Sequence, residues 1–220
     1  MVAPTDAPQL GSLFHGGYEL LAELGAGSFG RVYRARHLSS GRDVALKILS
    51  RRRGDLTDFE RQAAGRFQRE TRLCRELFHA NIVRVLDSGE TPDGTLFAAF
   101  EYVPGVTLKQ LIVERGPLGV HDTLHLMAQV LDALSCAHAR GIIHRDLKPE
   151  NIMVMQTGAR PNAMVLDFGL GGLAPGAGWE LPRLTATQDV VGTPCYAAPE
   201  QLRGEPPTPQ SDLYSWGLVV

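Results

Sequence analysis

Apolar and polar positions alternate from Arg31 to His37, and the apolar-rich runs from Tyr18 to Leu24 and from Asp43 to Leu49 read as strands on either side of it. A period of two predicts half-buried strands. Gly25 to Gly30 (G-A-G-S-F-G) and Ser39-Ser40-Gly41 supply the turns between them, so the chain opens as antiparallel β-structure rather than as a βαβ unit. Leu56 to Phe78 has helical composition, and Gly65 is expected to divide it into a short helix and a longer one. In the longer piece Phe67, Glu70, Cys74 and Leu77 recur at spacings of three and four and share one face. Two more strands are expected, Ile82 to Ser88 and Leu96 to Tyr102, joined by the T-P-D-G turn at Thr91 to Gly94.

After Pro104-Gly105 the pattern turns helical. Val120 to Arg140 carries Leu124, Met127, Leu131 and Leu134 at helical spacing, with Gly141 as a stop. A short apolar strand runs from Met164 to Leu166. Gly169 to Leu184 is rich in Gly, Ala and Pro and reads as a long mobile loop. The expected organisation is a loose tail over residues 1–12, a β-rich lobe over 13–103 and a mainly helical lobe over 104–220, an α+β chain without internal repeats.

Composition narrows the class. The 220 residues are 44% hydrophobic and 21% charged, with 24 Gly, 14 Pro and a net charge of -2, which excludes a fibre or a disordered chain. So small a net charge gives no electrostatic reason to expect a nucleic-acid or membrane partner. Cys74, Cys136 and Cys195 form no C-x-x-C pair and read as small core residues of a reducing, cytoplasmic compartment. The start M-V-A-P-T-D-A-P lacks the basic and apolar regions of a secretory signal, and no apolar run approaches the roughly 20 residues that span a bilayer.

Chemistry is concentrated in a few runs. Gly25-Ala26-Gly27-Ser28-Phe29-Gly30 followed by Val32 lets backbone amides approach phosphates without side-chain obstruction. Because a strand rather than a helix follows Gly30, the run suits a phosphate-covering hairpin; taken singly, it is also an ordinary glycine turn. Lys47 ends the apolar strand Val44-Ala45-Leu46-Lys47. A strand-edge lysine needs no function, but Glu70 on an otherwise apolar helix face would pair with it and aim a cation at nucleotide phosphates.

His144-Arg145-Asp146-Leu147-Lys148-Pro149-Glu150-Asn151 concentrates acids, bases and an amide between apolar runs. Asp146 could accept a hydroxyl proton, and Asn151 could coordinate a divalent cation. Asp167-Phe168-Gly169 sets a carboxylate at a strand end, where it would serve as a magnesium ligand or simply form a turn. Asp212 could be a helix N-cap and nothing more.

Together these runs resemble the protein kinase signature set: the Gly-rich loop, V-A-[IL]-K, H-R-D-L-x-x-x-N, D-F-G and A-P-E (here Ala198-Pro199-Glu200). All occur in order, and the resemblance covers Leu13 to the last residue; Leu46 for the usual Ile is the one departure, a volume-conserving swap. The resemblance implies a bilobal protein-kinase-like fold and an enzyme using ATP and Mg²⁺. It implies that Leu24, Gly25, Gly27, Gly30, Val32, Ala45 and Met153 surround the nucleotide, with Lys47 on its α- and β-phosphates, positioned by Glu70. Glu101 and Val103 would meet adenine through their backbones, and Phe100 would be the gatekeeper. Asp146 would be the base, with Lys148 beside it, and Asn151 and Asp167 would hold magnesium.

Lys148, two residues after Asp146, and G-T-P-x-Y-x-A-P-E are similar to Ser/Thr kinases, and A-P-E-Q-L and F-E-Y-V-P-G-V-T-L resemble bacterial members. The run from Ala198 to Val219 is similar to bacterial kinase domains joined to a downstream nucleotide-cyclase module. Arg145 before Asp146 implies activation by a phosphorylated loop, with Thr185 and Thr187 as autophosphorylation sites and Thr193 structural. In the family Asp212 steadies the catalytic loop from a central helix, Glu200 pairs with an arginine further on, and more helices follow. The C-terminal lobe is therefore expected to be incomplete at Val220. Two rival functions stand beside this one: an ATP-binding pseudokinase scaffold, and a small-molecule phosphotransferase on the same fold.

Overall fold

A computed structural model describes residues 8–27, 30–49, 58–158, 160–168 and 194–220; for 27, 58–64, 66 and 194 it describes the backbone alone. The chain divides into two compact units, residues 1–75 with 84–102, and residues 76–83 with 103–220.

The first unit is a six-stranded antiparallel sheet in the order β1-β2-β3-β4-β6-β5. Its strands are β1 (Leu13–Phe14), β2 (Tyr18–Gly27), β3 (Gly30–His37), β4 (Arg42–Leu49), β5 (Val85–Glu90) and β6 (Leu96–Glu101). The alternation along β2 to β4 decides which residues go inside. Tyr18, Leu20, Tyr33, Ala35, Val44, Leu46 and Ile48 pack with Phe97 and Ala99 into one core on a single face. Each fully buried Leu or Ile there contributes roughly 1.5–3 kcal/mol of transfer free energy. Phe14 closes the cluster edge-on to Phe97, with centroids 5.5 Å apart. Of the tail expected through residue 12, residues 1–7 lie outside the described residues. Gln9 to Ser12 is bonded to the sheet: Gly11 N–H donates to Leu20 O at 2.7 Å, and Leu20 N–H to Ser12 O at 3.1 Å.

Helix α1 (Asp58–Cys74) contacts β5 and runs unbroken through Gly65, which corrects the expected division. A helical glycine keeps its N–H and costs only ~1 kcal/mol, less than breaking the ladder. The helix ends at Cys74, so Leu77, although buried, lies beyond it and in the other unit. The strand expected from Ile82 to Ser88 is also two things. Ile82 and Val83 belong to the second unit, where Val83 N–H donates to Val165 O at 3.0 Å, while β5 begins at Val85.

The second unit contains α2 (Leu108–Arg115), α3 (Val120–His138), α4 (Pro199–Leu202) and α5 (Pro209–Val219). It also contains a three-stranded antiparallel sheet in the order β7 (Val106–Thr107), β8 (Ile152–Gln156), β9 (Pro161–Val165). Thr107 and Gln110 form a reciprocal cap that starts α2: Gln110 N–H donates to Thr107 Oγ1 and Thr107 N–H to Gln110 Oε1. The apolar face of α3 (Leu126, Met127, Val130, Ala133, Leu134, Ala137) is buried, and the helix packs against β9 and α5. The strand expected at Met164 to Leu166 is the longer β9, and β1, β7 and β8 are additional to the sequence reading.

Candidate active site

The segment from Ile142 to Asn151 links the end of α3 to β8, and its conformation is set by side chains from distant parts of the chain. Asp212 lies in the first turn of α5 and is 1% exposed. Its Oδ2 accepts the His144 backbone N–H at 2.8 Å and His138 Nε2 at 2.7 Å, and its Oδ1 accepts the Arg145 N–H at 2.8 Å. Asp212 is therefore not the N-cap; that position is Thr208, whose N–H donates to Ser211 Oγ at 2.9 Å. Arg145 is held at φ +72°, a left-handed conformation costly for a residue with a Cβ. A non-glycine residue stays there only when its surroundings over-determine it. His144 is fully buried; its Nδ1 accepts the Asp146 N–H at 3.3 Å, so Nε2 carries the proton and donates to Leu166 O at 2.8 Å.

This frame presents Asp146, whose side chain is 45% exposed. Lys148 Nζ donates to Asp146 Oδ2 at 2.7 Å. Asn151 Nδ2 donates to the same oxygen at 3.1 Å and to Asp146 O at 2.7 Å. Both Asn151 side-chain bonds run through nitrogen, which leaves its amide oxygen as a hard donor. Asn151 O accepts Leu166 N–H at 2.9 Å, which ties Asn151 to the residue before Asp167. Asp167 itself has φ +53°, and Phe168 packs edge-on to His144 with centroids 4.9 Å apart. The structure thus brings Asp146, Lys148 and Asn151 together and fixes the approach to Asp167. An amide oxygen beside a carboxylate suits magnesium, which takes oxygen ligands and few protein groups. Among the described residues no cluster of three or more His, Cys, Asp or Glu could hold a metal.

In the first unit the face opposite the core carries the other predicted residues. Cross-strand pairing sets Val32 against Lys47 and Lys47 against Ala98, with Ala45 against Phe100. Val32, Ala45 and Lys47 are half-buried on that face. Gly25 pairs with Val32 and Gly27 with Gly30, so the glycine run is a hairpin tip; Ser28 and Phe29 lie outside the described residues. Gly30 has φ +140°, and a Cβ there would collide with the Ile48 carbonyl. Leu24 is exposed. Glu70 is half-buried on α1 with its Oε2 buried, on the face with Phe67 and Cys74. Thr71, also fully buried, donates to Phe67 O at 2.7 Å. Glu101 N–H donates to Arg84 O at 3.0 Å. In the second unit Val103 is buried and Met153 is half-buried on β8, paired with Met164. Thr185, Thr187, Thr193 and Gly169 lie outside the described residues.

The frame around Asp146 and the glycine hairpin occur on one chain in the order of the kinase signature, and residues 18–220 match the protein kinase domain family. The chain belongs to the protein kinase family. It is 44% identical over 204 residues to the serine/threonine-protein kinase pkn3 of Myxococcus xanthus, covering 92% of this chain and 36% of that protein. It is 36% identical over 211 residues to PrkC of Bacillus subtilis, covering 96% of this chain and 31% of that kinase. The serine/threonine-protein kinase PknB of Mycobacterium tuberculosis is 40% identical over 206 residues, with 92% and 31% covered. The chain thus spans about a third of the length of the curated relatives it matches.

Sequence reasoning did not single out His138, which bonds Asp212, Gln201, which donates to the Arg145 carbonyl, or Arg34. Arg34 donates to Asp43 Oδ2 at 2.8 Å through Nε and lies over the Tyr102 ring, 4.9 Å from its centroid. That guanidinium holds the Asp43 carboxyl below its ordinary range. Arg34 on β3 stands diagonal to Asp43 on β4, whose direct partner in the register is Arg36, a charge pairing that cross-strand rules could have read. Glu200 accepts Ser211 Oγ at 2.5 Å, and that bond lowers its carboxyl pKa. Cys74 is buried, Cys136 is half-buried and Cys195 is exposed, so the expectation of three core thiols is corrected. A cavity of about 190 Å³ beside Leu108, Ile112, Leu126 and Val219 contains none of the predicted site residues. Among the described residues no helix is long and apolar enough to cross a membrane.

Proposed function

We propose that this chain is a Ser/Thr protein kinase that transfers the γ-phosphate of ATP to serine and threonine hydroxyls of protein substrates in the cytoplasm. The observation that carries the reading is the Asp146 carboxylate, half-exposed and with one oxygen engaged by Lys148 and Asn151. Its second oxygen can orient a substrate hydroxyl and take its proton as the hydroxyl oxygen bonds to the γ-phosphorus and the bond to ADP breaks. Lys148, held on the other oxygen of the same carboxylate, would supply a cation that offsets the charge developing on the transferred group.

The remaining roles follow the family assignments. Gly25, Gly27 and Gly30 would cover the phosphates, and Lys47, positioned by Glu70, would hold the α- and β-phosphates. Leu24, Val32, Ala45 and Met153 would contact adenine. Val103 would bond it through its backbone, and Glu101 through its carbonyl, because its N–H is already committed to Arg84. Asn151 and Asp167 would hold Mg²⁺, which neutralises charge on the phosphates. Arg145 would pair with phosphate on Thr185 or Thr187 after autophosphorylation.

The test is phosphate incorporation from radiolabelled Mg-ATP into a basic protein substrate, beside Asp146→Asn. A positioned base contributes about 10²–10⁴-fold, so transfer should fall at least 100-fold in the variant while ATP binding stays. Transfer equal in both proteins, or onto small molecules but not proteins, would refute the assignment. Mass spectrometry of the loop after ATP incubation tests Thr185 and Thr187.

A further inference from the structure

Arg145 and Asp146 share one peptide group, and its orientation aims the proposed base. We infer that Gln201 is a positioning residue for Asp146, acting as a strut between α4 and the catalytic loop; this rests on the kinase reading above. Gln201 Nε2 donates to Arg145 O at 2.8 Å, across 56 positions of sequence. Its Oε1 accepts the Ala198 N–H at 3.1 Å, so the amide is oriented at both ends.

The peptide between Arg145 and Asp146 is thereby gripped twice. Gln201 holds its carbonyl, and His144 Nδ1 accepts its N–H at the longer distance of 3.3 Å. The preceding peptide is held by Asp212, which accepts the Arg145 N–H at 2.8 Å. Arg145, at φ +72°, is thus clamped on both sides by side chains of α4 and α5. Those two helices are themselves joined by Ser211 Oγ donating to Glu200 Oε1 at 2.5 Å. Without Gln201 the peptide before Asp146 loses the shorter of these two bonds and keeps the longer one to His144. Asp146 then samples orientations in which its open oxygen no longer faces the hydroxyl, although Lys148 and Asn151 still hold the other.

This geometry separates positioning from folding. Gln201→Glu keeps length and shape and still accepts the Ala198 N–H, so the start of α4 remains capped. It cannot donate to Arg145 O. Gln201→Met keeps the length and removes both bonds without adding charge. The expected result for Gln201→Glu is a roughly tenfold fall in kcat, about 1.4 kcal/mol of transition-state stabilisation, with KM for ATP within about twofold and Tm within about 2 °C of the parent. Gln201→Met should lose kcat to a similar degree. A kcat within twofold of the parent for both variants overturns the inference, as does a rise in KM for ATP that matches the loss.

A second readout does not depend on activity. Amide hydrogen exchange of the peptide containing residues 144–148 should be at least fivefold faster in Gln201→Glu, with exchange in α3 unchanged. Unchanged exchange in that peptide overturns the strut whatever the kinetics. If the parent chain itself transfers no phosphate while exchange in the variant accelerates as stated, the kinase assignment fails and the strut stands.

Discussion

Replacing Asp212 by Ala removes the acceptor of three bonds at 2.7–2.8 Å from a site only 1% exposed. Two of the orphaned donors are backbone N–H groups, those of His144 and Arg145, which cannot turn toward water without giving up the φ +72° geometry of Arg145. A buried donor left without a partner costs about 1–3 kcal/mol, more where the lost acceptor was charged. His138, 14% exposed at its side chain, can recover part of its bond from solvent. The sum is about 3–5 kcal/mol, in the range for breaking a buried polar pair and a large part of the 5–15 kcal/mol that holds a domain together. Asp212→Asn keeps the volume but sets an amide nitrogen against one of the three donors, and should lose about 2–3 kcal/mol. Urea unfolding followed by circular dichroism reads this as a shift of the midpoint. With a slope of about 2–3 kcal/mol/M, the Ala variant should move by at least ~1 M at unchanged slope. A shift under about 0.3 M would mean that the three bonds are replaced by water at no cost, and the over-determined catalytic loop would be the wrong description.

Two further outcomes follow from the first unit. Gly30→Ala drives a Cβ into the Ile48 carbonyl at φ +140° and should lower Tm by at least ~4 °C, whereas Gly25→Ala meets nothing within 4 Å and should shift Tm by less than ~2 °C; equal shifts would sink the argument. Tyr18 is buried and donates to Asp87 Oδ2 at 3.0 Å, and burial raises its hydroxyl pKa well above the usual value near 10. The folded state therefore keeps a proton that the unfolded chain releases. The Tyr18 contribution should be complete below pH ~10 and decline above it, so the Tm gap between the parent and Tyr18→Phe should narrow above that pH; parallel curves would contradict it.

Much of this chain could be read from its sequence because the informative patterns are local. The period-two alternation of Tyr33, Ala35, Val44, Leu46 and Ile48 places them in one core, and the glycine hairpin, Lys47, Asp146, Asn151 and Asp167 stand at motif spacings that need no partner to be recognised. Where local signals were weak, the reading slipped: Gly65 does not break α1, and Ile82 to Ser88 is shared between two units because bonds from Val83 and Asn81 to Val165 capture its first half. A two- or five-residue strand such as β7 or β8 is too short to show a period at all.

The amino-acid sequence by itself determined the strand and helix types, the order of the motifs and the family, because each depends on side chains within about ten positions of one another. Only the tertiary structure decided that Asp212 grips two backbone amides 67 and 68 positions away and that Gln201 reaches Arg145 across 56. Such bonds follow from where α4 and α5 come to rest against the catalytic loop. A single polar residue on a helix carries no mark, in its own neighbourhood, of the distant peptide group it will hold.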